Sequence, residues 1–185
     1  MRTLSKILGL VVALVIVTTG SPTVGAEPTP HDGVHDFDFL YGRWKFWVKR
    51  LKNPLHGSHD WYEMNGASSV RPIFGGRGNV EEFDAEGPTG KVSALTIRTY
   101  QSESHQWSIY WCNSKTGHID IPTVGEFKNG RGEFYDQEIF DGRSILVRYI
   151  WSDITPKSAH FEQSFSPDGG KTWEVNWISQ ITRLE

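Results

Sequence analysis

The chain has 185 residues and a formal net charge of −3, a length that suits one domain with an adequate core. The acidic balance argues against nucleic acid or an anionic membrane surface as a partner. The single cysteine, Cys112, excludes an internal disulfide, so the fold must depend on its core. Eight tryptophans, ten phenylalanines and six tyrosines can supply that core, because each buried ring removes a large apolar area from water.

The N-terminal segment has the pattern of a secretory signal peptide. Arg2 and Lys6 precede an apolar run over residues 7–17, and small residues follow as far as Ala26. The run is shorter than the roughly 20 apolar residues that a membrane-spanning helix needs. A retained anchor is therefore the weaker alternative.

This pattern divides the chain into three parts. We predict a signal peptide over residues 1–26, a Pro-rich flexible tether over residues 27–34 and a β-barrel domain over residues 35–185. The mature protein would be exported, to the periplasm or the extracellular space, and would have no membrane partner once the signal is cleaved. The sequence does not indicate its oligomeric state.

Short strands joined by turns follow the tether. Residues over Arg43–Lys52 alternate between two faces, as in a strand. A second strand is expected over His59–Arg71, interrupted near Asn65-Gly66. Asn129-Gly130 and Asp141-Gly142 are the dipeptides favoured in tight hairpins. About ten strands without a helical period predict an all-β fold, a single antiparallel up-and-down barrel. A two-sheet sandwich is the main alternative.

The opening of the domain, HDFDFLYGRW over residues 35–44, resembles an uncharacterised bacterial family of calycin, or lipocalin-like, barrels. Arg71-Pro72, the Gly75–Val80 bend and the ending Trp173–Arg183 extend the resemblance over nearly the whole mature chain. It implies a closed barrel with a central cavity. Members of the wider group mostly hold small hydrophobic or amphipathic molecules, some hold haem, and a few similar barrels catalyse cyclisations or isomerisations.

Two motifs are predicted to be structural. In lipocalin-like barrels Gly42-x-Trp44 would open the first strand and Arg183, in the last, would lie over the indole and seal one end. The Ser166–Trp173 segment matches the Asp-box turn of sialidase propellers, but it occurs once, and it does not supply the paired catalytic carboxylates that sugar cleavage needs. Asp168 would bond its own turn and Trp173 would anchor the strand.

Charged side chains inside strands are the most informative polar residues. Their direction depends on register, because a shift of one residue exchanges the lumen and the outer face. Facing outward, they are solvated; facing inward, they must pair or hold a ligand. Arg148 and Glu162 lie on neighbouring predicted strands, so an ion pair between them is possible. Polar or charged residues interrupt the apolar strands at Arg71, Arg98, Glu138, Arg148, Glu162 and Asn176.

These patterns predict a barrel that binds a small amphipathic or aromatic molecule in its lumen without a cofactor. Aromatic walls would bury the ligand, and an arginine would orient its polar group. The predicted ligand-binding residues are Arg71, Arg98, Trp107, Trp111, Arg148, Trp151, Glu162 and Trp177.

Two alternatives use the same barrel. It could be an isomerase, cyclase or hydrolase in which Glu162 or Glu138 is the acid/base, with His160 as a secondary candidate. It could also bind haem or nitric oxide, with His160 as axial ligand. We predict no metal site, because neither His56-x-x-His59-Asp60 nor His31…His35-Asp36 forms a defined ligand set.

Overall fold

The computed structural model describes residues 32–184. The predicted signal peptide and most of the tether lie outside the described residues. Within them the chain forms ten strands, named in chain order: β1 (Gly42–Leu51), β2 (Trp61–Ile73), β3 (Gly78–Gly87), β4 (Gly90–Gln101), β5 (Gln106–Asn113), β6 (Thr123–Lys128), β7 (Arg131–Phe140), β8 (Arg143–Ser152), β9 (Ser158–Ser166) and β10 (Glu174–Arg183).

Each strand pairs antiparallel with the next, and β1 pairs with β10 to close the ring. The predicted up-and-down barrel of about ten strands is confirmed, and the two-sheet sandwich is excluded. The helical content of the described residues is two 3-10 turns, Asp38–Leu40 and Phe74–Gly76. No helix in this part of the chain is long and apolar enough to span a membrane.

Both predicted hairpin turns are present. Asn129 and Gly130 have φ of 53° and 75°, and Asp141 and Gly142 have φ of 49° and 75°. Two successive positive φ angles match the twist of the strands that the turn joins. These dipeptides therefore fix the β6–β7 and β7–β8 registers.

The expected interruption of the second strand at Asn65-Gly66 is wrong. β2 continues through both residues, with Gly66 opposite Phe46 of β1 and Ala85 of β3. A Cβ at Gly66 would lie 2.2 Å from the carbonyl oxygen of Asp84. Glycine stands here because the two backbones approach closely, so it marks a contact and not a break.

One end of the barrel is closed by the chain that leads into β1. The 3-10 turn lies against the barrel interior, and Phe37, Trp44, Trp107 and Phe134 are fully buried there. The Phe37 ring lies edge-on to Trp107 and close to Phe134, with centroid distances of 5.1 and 5.6 Å. This half of the interior, the closed end, is a packed core.

Arg183 and Trp44 meet at the closed end. The guanidinium lies 4.1 Å from the indole centroid and donates hydrogen bonds to the carbonyl oxygens of Phe39, Tyr41 and Pro156. The Trp44 Nε1 donates to the carbonyl oxygen of Leu40 at 2.6 Å. One arginine thus ties the last strand to the segment that enters the first.

Gly42 permits that contact. Its φ is +115°, and a Cβ there would lie 2.9 Å from Nη1 of Arg183. A side chain would therefore meet both backbone strain and the guanidinium.

The Asp-box segment is the β9–β10 turn. The Asp168 carboxylate accepts hydrogen bonds from the amide and hydroxyl of Thr172 and from the Ser166 hydroxyl. These bonds, the Thr172 amide first, lower the pKa of Asp168 to about 2. Trp173 Nε1 donates to the carbonyl oxygen of Gly170, which anchors the turn to the strand.

Candidate ligand site at the open end of the barrel

The interior opposite the closed end is partly accessible to solvent. Trp111, Tyr149, Phe161 and Trp177 have the inward register, yet each is only half-buried. They pack against the closed-end core, and a second buried cluster, Ile145, Val147 and Phe165, lies beside Tyr149. We call this part of the interior the open-end lumen.

The walls of the open-end lumen are aromatic. Trp111 lies 5.9 Å from Phe83 and 6.3 Å from Trp177, centroid to centroid, although β5 and β10 stand on opposite sides of the ring. The Arg50 guanidinium covers the Trp177 ring at 5.1 Å. Tyr149 packs against Phe161 at 5.3 Å. Aromatic rings of this end thus meet across the interior.

A carboxylate cluster lies within this aromatic lining. On β7, Asp136 and Glu138 pair with Val147 and Ile145 of β8, which are buried, and this register turns both acids inward. Asp120, from the β5–β6 connection, is close enough to raise the pKa of both. We call these three residues the acidic cluster.

Burial and mutual repulsion raise the pKa values of the acidic cluster. Burial raises the pKa of Asp136 to about 7, and the charges of Glu138 and Asp120 add to the shift. Burial also raises the pKa of Glu138 and of Asp120. The pKa of the Tyr149 hydroxyl rises as well, through burial and the three carboxylates. The four groups therefore share one environment.

The open-end lumen also contains buried polar atoms without a partner. Both carboxylate oxygens of Asp136 lack a hydrogen bond, as do Thr123 Oγ1 and Asn176 Nδ2. Thr123 and Asn176 are only 1% and 2% exposed. Buried polar groups in proteins are normally bonded, so a further donor or acceptor would satisfy these atoms. Buried atoms without a partner also occur elsewhere, among them Asn79 Nδ2, Arg98 Nε and Trp151 Nε1.

The acidic cluster is not arranged as a metal site. No group of three or more His, Cys, Asp or Glu side chains among residues 32–184 is placed to hold a metal ion. When ionised, carboxylates act only as hydrogen-bond acceptors.

The raised pKa of Asp136 makes a stability prediction. The folded state holds the Asp136 proton up to about pH 7, whereas the unfolded chain releases it near pH 4. Stability should therefore fall as the pH rises from about 4 to about 7. At pH 8, Asp136→Asn should raise the free energy of unfolding by about 1–2 kcal/mol, discounted for partial exposure.

Urea denaturation at pH 5 and pH 8 measures this effect. The gain from Asp136→Asn should shrink at pH 5, where the wild-type carboxyl is largely protonated. Glu82→Gln, an exposed acid on β3, is the control and should change stability little at either pH. An Asp136→Asn variant less stable than wild type at pH 8 would contradict the assignment.

Three of the residues predicted from the sequence border the open-end lumen: Trp111, Trp177 and Glu138. Trp107 and Trp151 also point inward, but they are buried at the closed end. They belong to the packed core, where no space for a ligand borders them.

Arg98 also lies inside, in a buried ion pair. Its Nη2 lies 2.6 Å from Oε2 of Glu81, Nη1 donates to Oδ1 of Asn79, and both charged side chains are at most 5% exposed. The guanidinium lies 5.3 and 5.5 Å from the rings of Phe37 and Trp151. Both terminal nitrogens of Arg98 are therefore engaged by the protein itself, while its buried Nε has no partner.

Arg71, Arg148 and Glu162 lie on the outer face and do not line the lumen. Arg71 is exposed, because its strand neighbours have the inward register. Arg148 covers the Trp173 ring at 4.3 Å. It pairs across the sheet with Ser164, whereas Glu162 pairs with Ile150 and contacts His160. The Arg148–Glu162 ion pair that the sequence allowed is not formed within residues 32–184.

His160 is also outside the lumen. Its Nε2 lies 2.9 Å from a Glu162 oxygen and its Nδ1 lies 2.8 Å from Gln180 Nε2, so both ring nitrogens are engaged on the outer face. Neither His160 nor Glu162 can therefore act inside the lumen. No histidine among the described residues faces the lumen from a strand, and the residues present do not fit a lumen haem.

The sequence interpretation missed several lumen residues, among them Asp120, Thr123, Asp136, Tyr149 and Phe161. A signal for Asp136 was present, since Phe134, Asp136, Glu138 and Phe140 alternate along one face of one strand. A strand whose buried face contains two acids between two phenylalanines is unusual. Asp120 had no such signal, because it lies in a connection.

Two depressions also occur on the outer surface. The larger, about 790 Å³, lies outside the closed end, between the segment before β1 and the β6–β7 turn. The smaller, about 420 Å³, lies along the outer faces of β6 and β7. Neither contains one of the buried polar atoms without a partner, so the open-end lumen is the stronger candidate.

Comparison with known proteins identifies structures of similar fold but no family. No family model and no curated protein matches the chain. The solved structures that match include an S-type phycobiliprotein lyase from Guillardia theta, with 12% identity, a TM-score of 0.51, and 80% of this chain and 90% of that chain covered.

Two designed proteins also match. A designed fluorescence-activating β-barrel has 13% identity and a TM-score of 0.44, with 80% of this chain and 95% of that chain covered. A redesigned β-barrel bound to DFHBI has 12% identity and a TM-score of 0.44, with 78% and 99% covered. At these identities the likeness to the lyase concerns the fold alone, and the weaker matches add no argument.

Proposed function

We propose that this protein is an exported barrel that binds a small amphipathic or aromatic molecule in the open-end lumen. The observation that carries the proposal is the contrast between the two halves of the interior. Closed-end aromatics such as Trp44 and Trp107 are fully buried, whereas Trp111 and Trp177 point into the barrel and are only half-buried. A barrel that stabilises itself at one end and leaves ring faces accessible at the other has the form of a ligand site.

The chemistry of the lining indicates the ligand. Trp111, Trp177, Tyr149 and Phe161 offer ring faces on which a flat molecule can stack. The unpartnered atoms of Asp136, Thr123 and Asn176 would bond a polar edge. The phycobiliprotein lyase has a similar barrel fold.

We further infer membership of the calycin-like bacterial family from the HDFDFLYGRW opening, and export from the pattern of residues 1–26. Mass determination of protein secreted by the native cell tests export. A chain that begins at Glu27 is expected, and an intact N-terminus would contradict it.

Dansylamide, a neutral aromatic probe, tests ligand binding. Its fluorescence should rise on titration with the protein. Replacing Trp111 and Trp177 together by alanine should weaken binding about tenfold, which corresponds to the loss of roughly 1.4 kcal/mol of stacking. Trp47→Ala is the control, because Trp47 lies on the outer face of β1, away from the lumen. No binding, or equal binding to both variants, would overturn the proposed site.

General acid–base catalysis in the same lumen is a second candidate, favoured by the pKa of about 7 at Asp136. A carboxyl group that titrates near neutral pH can both give and take a proton. Glu138 lies on the same face, whereas Glu162 lies outside. If a bound compound is converted, Asp136→Asn or Glu138→Gln should abolish turnover; unchanged turnover in both would contradict this role.

A further inference from the structure

The charges that border the open-end lumen have one dominant sign. Asp120, Asp136 and Glu138 form its acidic cluster, while two inward cations are already engaged: Arg50 covers the face of Trp177 and Arg98 is paired with Glu81. We propose that the acidic cluster selects ligands with a protonated amine over neutral or anionic ligands of the same shape. This proposal rests on the proposed function and names the ligand class of that site.

The geometry around Asp136 requires a donor. Its two oxygens are shielded from solvent and accept no hydrogen bond from residues 32–184. An ionised carboxylate can only accept hydrogen bonds, whereas an ammonium has three donors and no acceptor. A ligand amine at this position would satisfy both oxygens and offset their burial.

Thr123 is an independent sign of the same site. Val124 pairs with Tyr135, so the next positions on β6 and β7, Thr123 and Asp136, are neighbours on the inward face. Thr123 is 1% exposed, and its hydroxyl has no partner. A hydroxyl beside the carboxylate can accept a second hydrogen bond from the amine, so two strands supply acceptors at one place.

The surroundings favour an organic cation over a metal ion or an anion. Within the described residues no ligand set is arranged for a metal, and an anion would meet three carboxylates. Tyr149 and Trp111 point inward from β8 and β5, and aromatic faces attract cations. An amine attached to a flat ring could use the carboxylate and the walls together.

Protonation of the acidic cluster should control this selectivity. The charged groups that act on Asp136 are Glu138 on its own strand and Asp120 from the β5–β6 connection, while Tyr149 faces it from β8. His118 acts on Asp120 from the same connection. Since the pKa of Asp136 is about 7, the carboxylate that attracts the amine forms as the pH rises above neutral.

Three dansyl probes of similar size test the proposal: dansylcadaverine, which is cationic, N-butyl dansylamide, which is neutral, and dansylglycine, which is anionic. At pH 8 the cationic probe should bind at least about tenfold more tightly than the neutral probe, and the anionic probe should bind most weakly. Between pH 6 and pH 8 the preference for the cationic probe should grow as Asp136 ionises.

Two variants test whether Asp136 causes the preference for the cationic probe. Asp136→Asn should reduce the ratio of cationic to neutral affinity to below about twofold, and Glu82→Gln, an exposed acid on β3, should leave the ratio unchanged. The pH series on the wild-type protein needs no variant, so a folding defect cannot obscure the result.

Each failure has its own pattern. If the neutral probe binds as tightly as the cationic probe at pH 8, the amine preference is overturned while the proposed function stands. If no probe binds, or if binding is unaffected by replacement of Trp111 and Trp177, the proposed function itself fails.

Discussion

Glu81→Gln is expected to lower the free energy of unfolding by about 3–5 kcal/mol. Glu81 and Arg98 are 5% and 3% exposed, and their charged atoms lie 2.6 Å apart. Removal of the carboxylate charge leaves the guanidinium inside the barrel between Phe37 and Trp151, where Asn79 is its remaining hydrogen-bond partner. An uncompensated buried charge is among the most destabilising single changes in a protein.

Urea denaturation of three variants tests this expectation. The double variant Glu81→Gln/Arg98→Met should recover most of the loss, because it removes both charges and keeps the volume. Glu133→Gln breaks an exposed ion pair with Arg131 and should cost less than about 1 kcal/mol. Equal losses for Glu81→Gln and Glu133→Gln would show that the buried pair is not essential.

Trp44→Ala is expected to cost about 3–5 kcal/mol, through loss of a fully buried indole and the cavity it leaves. The substitution also removes the hydrogen bond to Leu40 and the ring face beneath the Arg183 guanidinium. The closed end should therefore loosen together with the segment before β1. Amide exchange at Leu40 and Tyr41 should become faster than in the wild-type protein.

Trp47→Ala provides the matched control for Trp44→Ala. Trp47 is on the same strand, β1, but on its outer face, where it donates to Glu63. This variant should lose only about 1 kcal/mol, as expected for a surface position. A loss at Trp47 as large as that at Trp44 would contradict the division into a packed interior and a solvated exterior.

The sequence contained enough information for the barrel because its local signals agree. The alternation over Arg43–Lys52 and the Asn-Gly and Asp-Gly turns each favour short antiparallel strands, and the structure has them. Gly66 misled because a glycine inside a strand can mark either a break or a close approach of backbones. The proximity of the Asp84 carbonyl, which decides between them, depends on the neighbouring strand.

The site was less accessible from the sequence because it depends on which face of each strand points inward. Glu138 and Glu162 both interrupt apolar strands, yet register places the first inside and the second outside. Likewise, Arg98 points into the barrel and Arg148 lies on its outer face. A one-residue shift reverses each assignment, and that shift is set by ladders between strands, not by the strand's own residues.

The sequence also did not reveal how far along the barrel axis each residue lies. Trp107 and Trp111 lie on the same face of β5, but the first is buried against Phe37 and the second is accessible near Trp177. The difference arises because residues 32–41 fold into one end only. The residues of a strand do not show whether a segment from elsewhere in the chain covers it.

The pairing of β1 with β10 has a mechanical consequence. Every strand of the described barrel is held by a ladder on each side, so none can peel away without breaking two rows of backbone hydrogen bonds at once. We therefore expect the wall to melt as one cooperative unit. The same continuity offers no open edge to which a strand of another molecule could add, a safeguard against self-association for a chain so rich in aromatic residues.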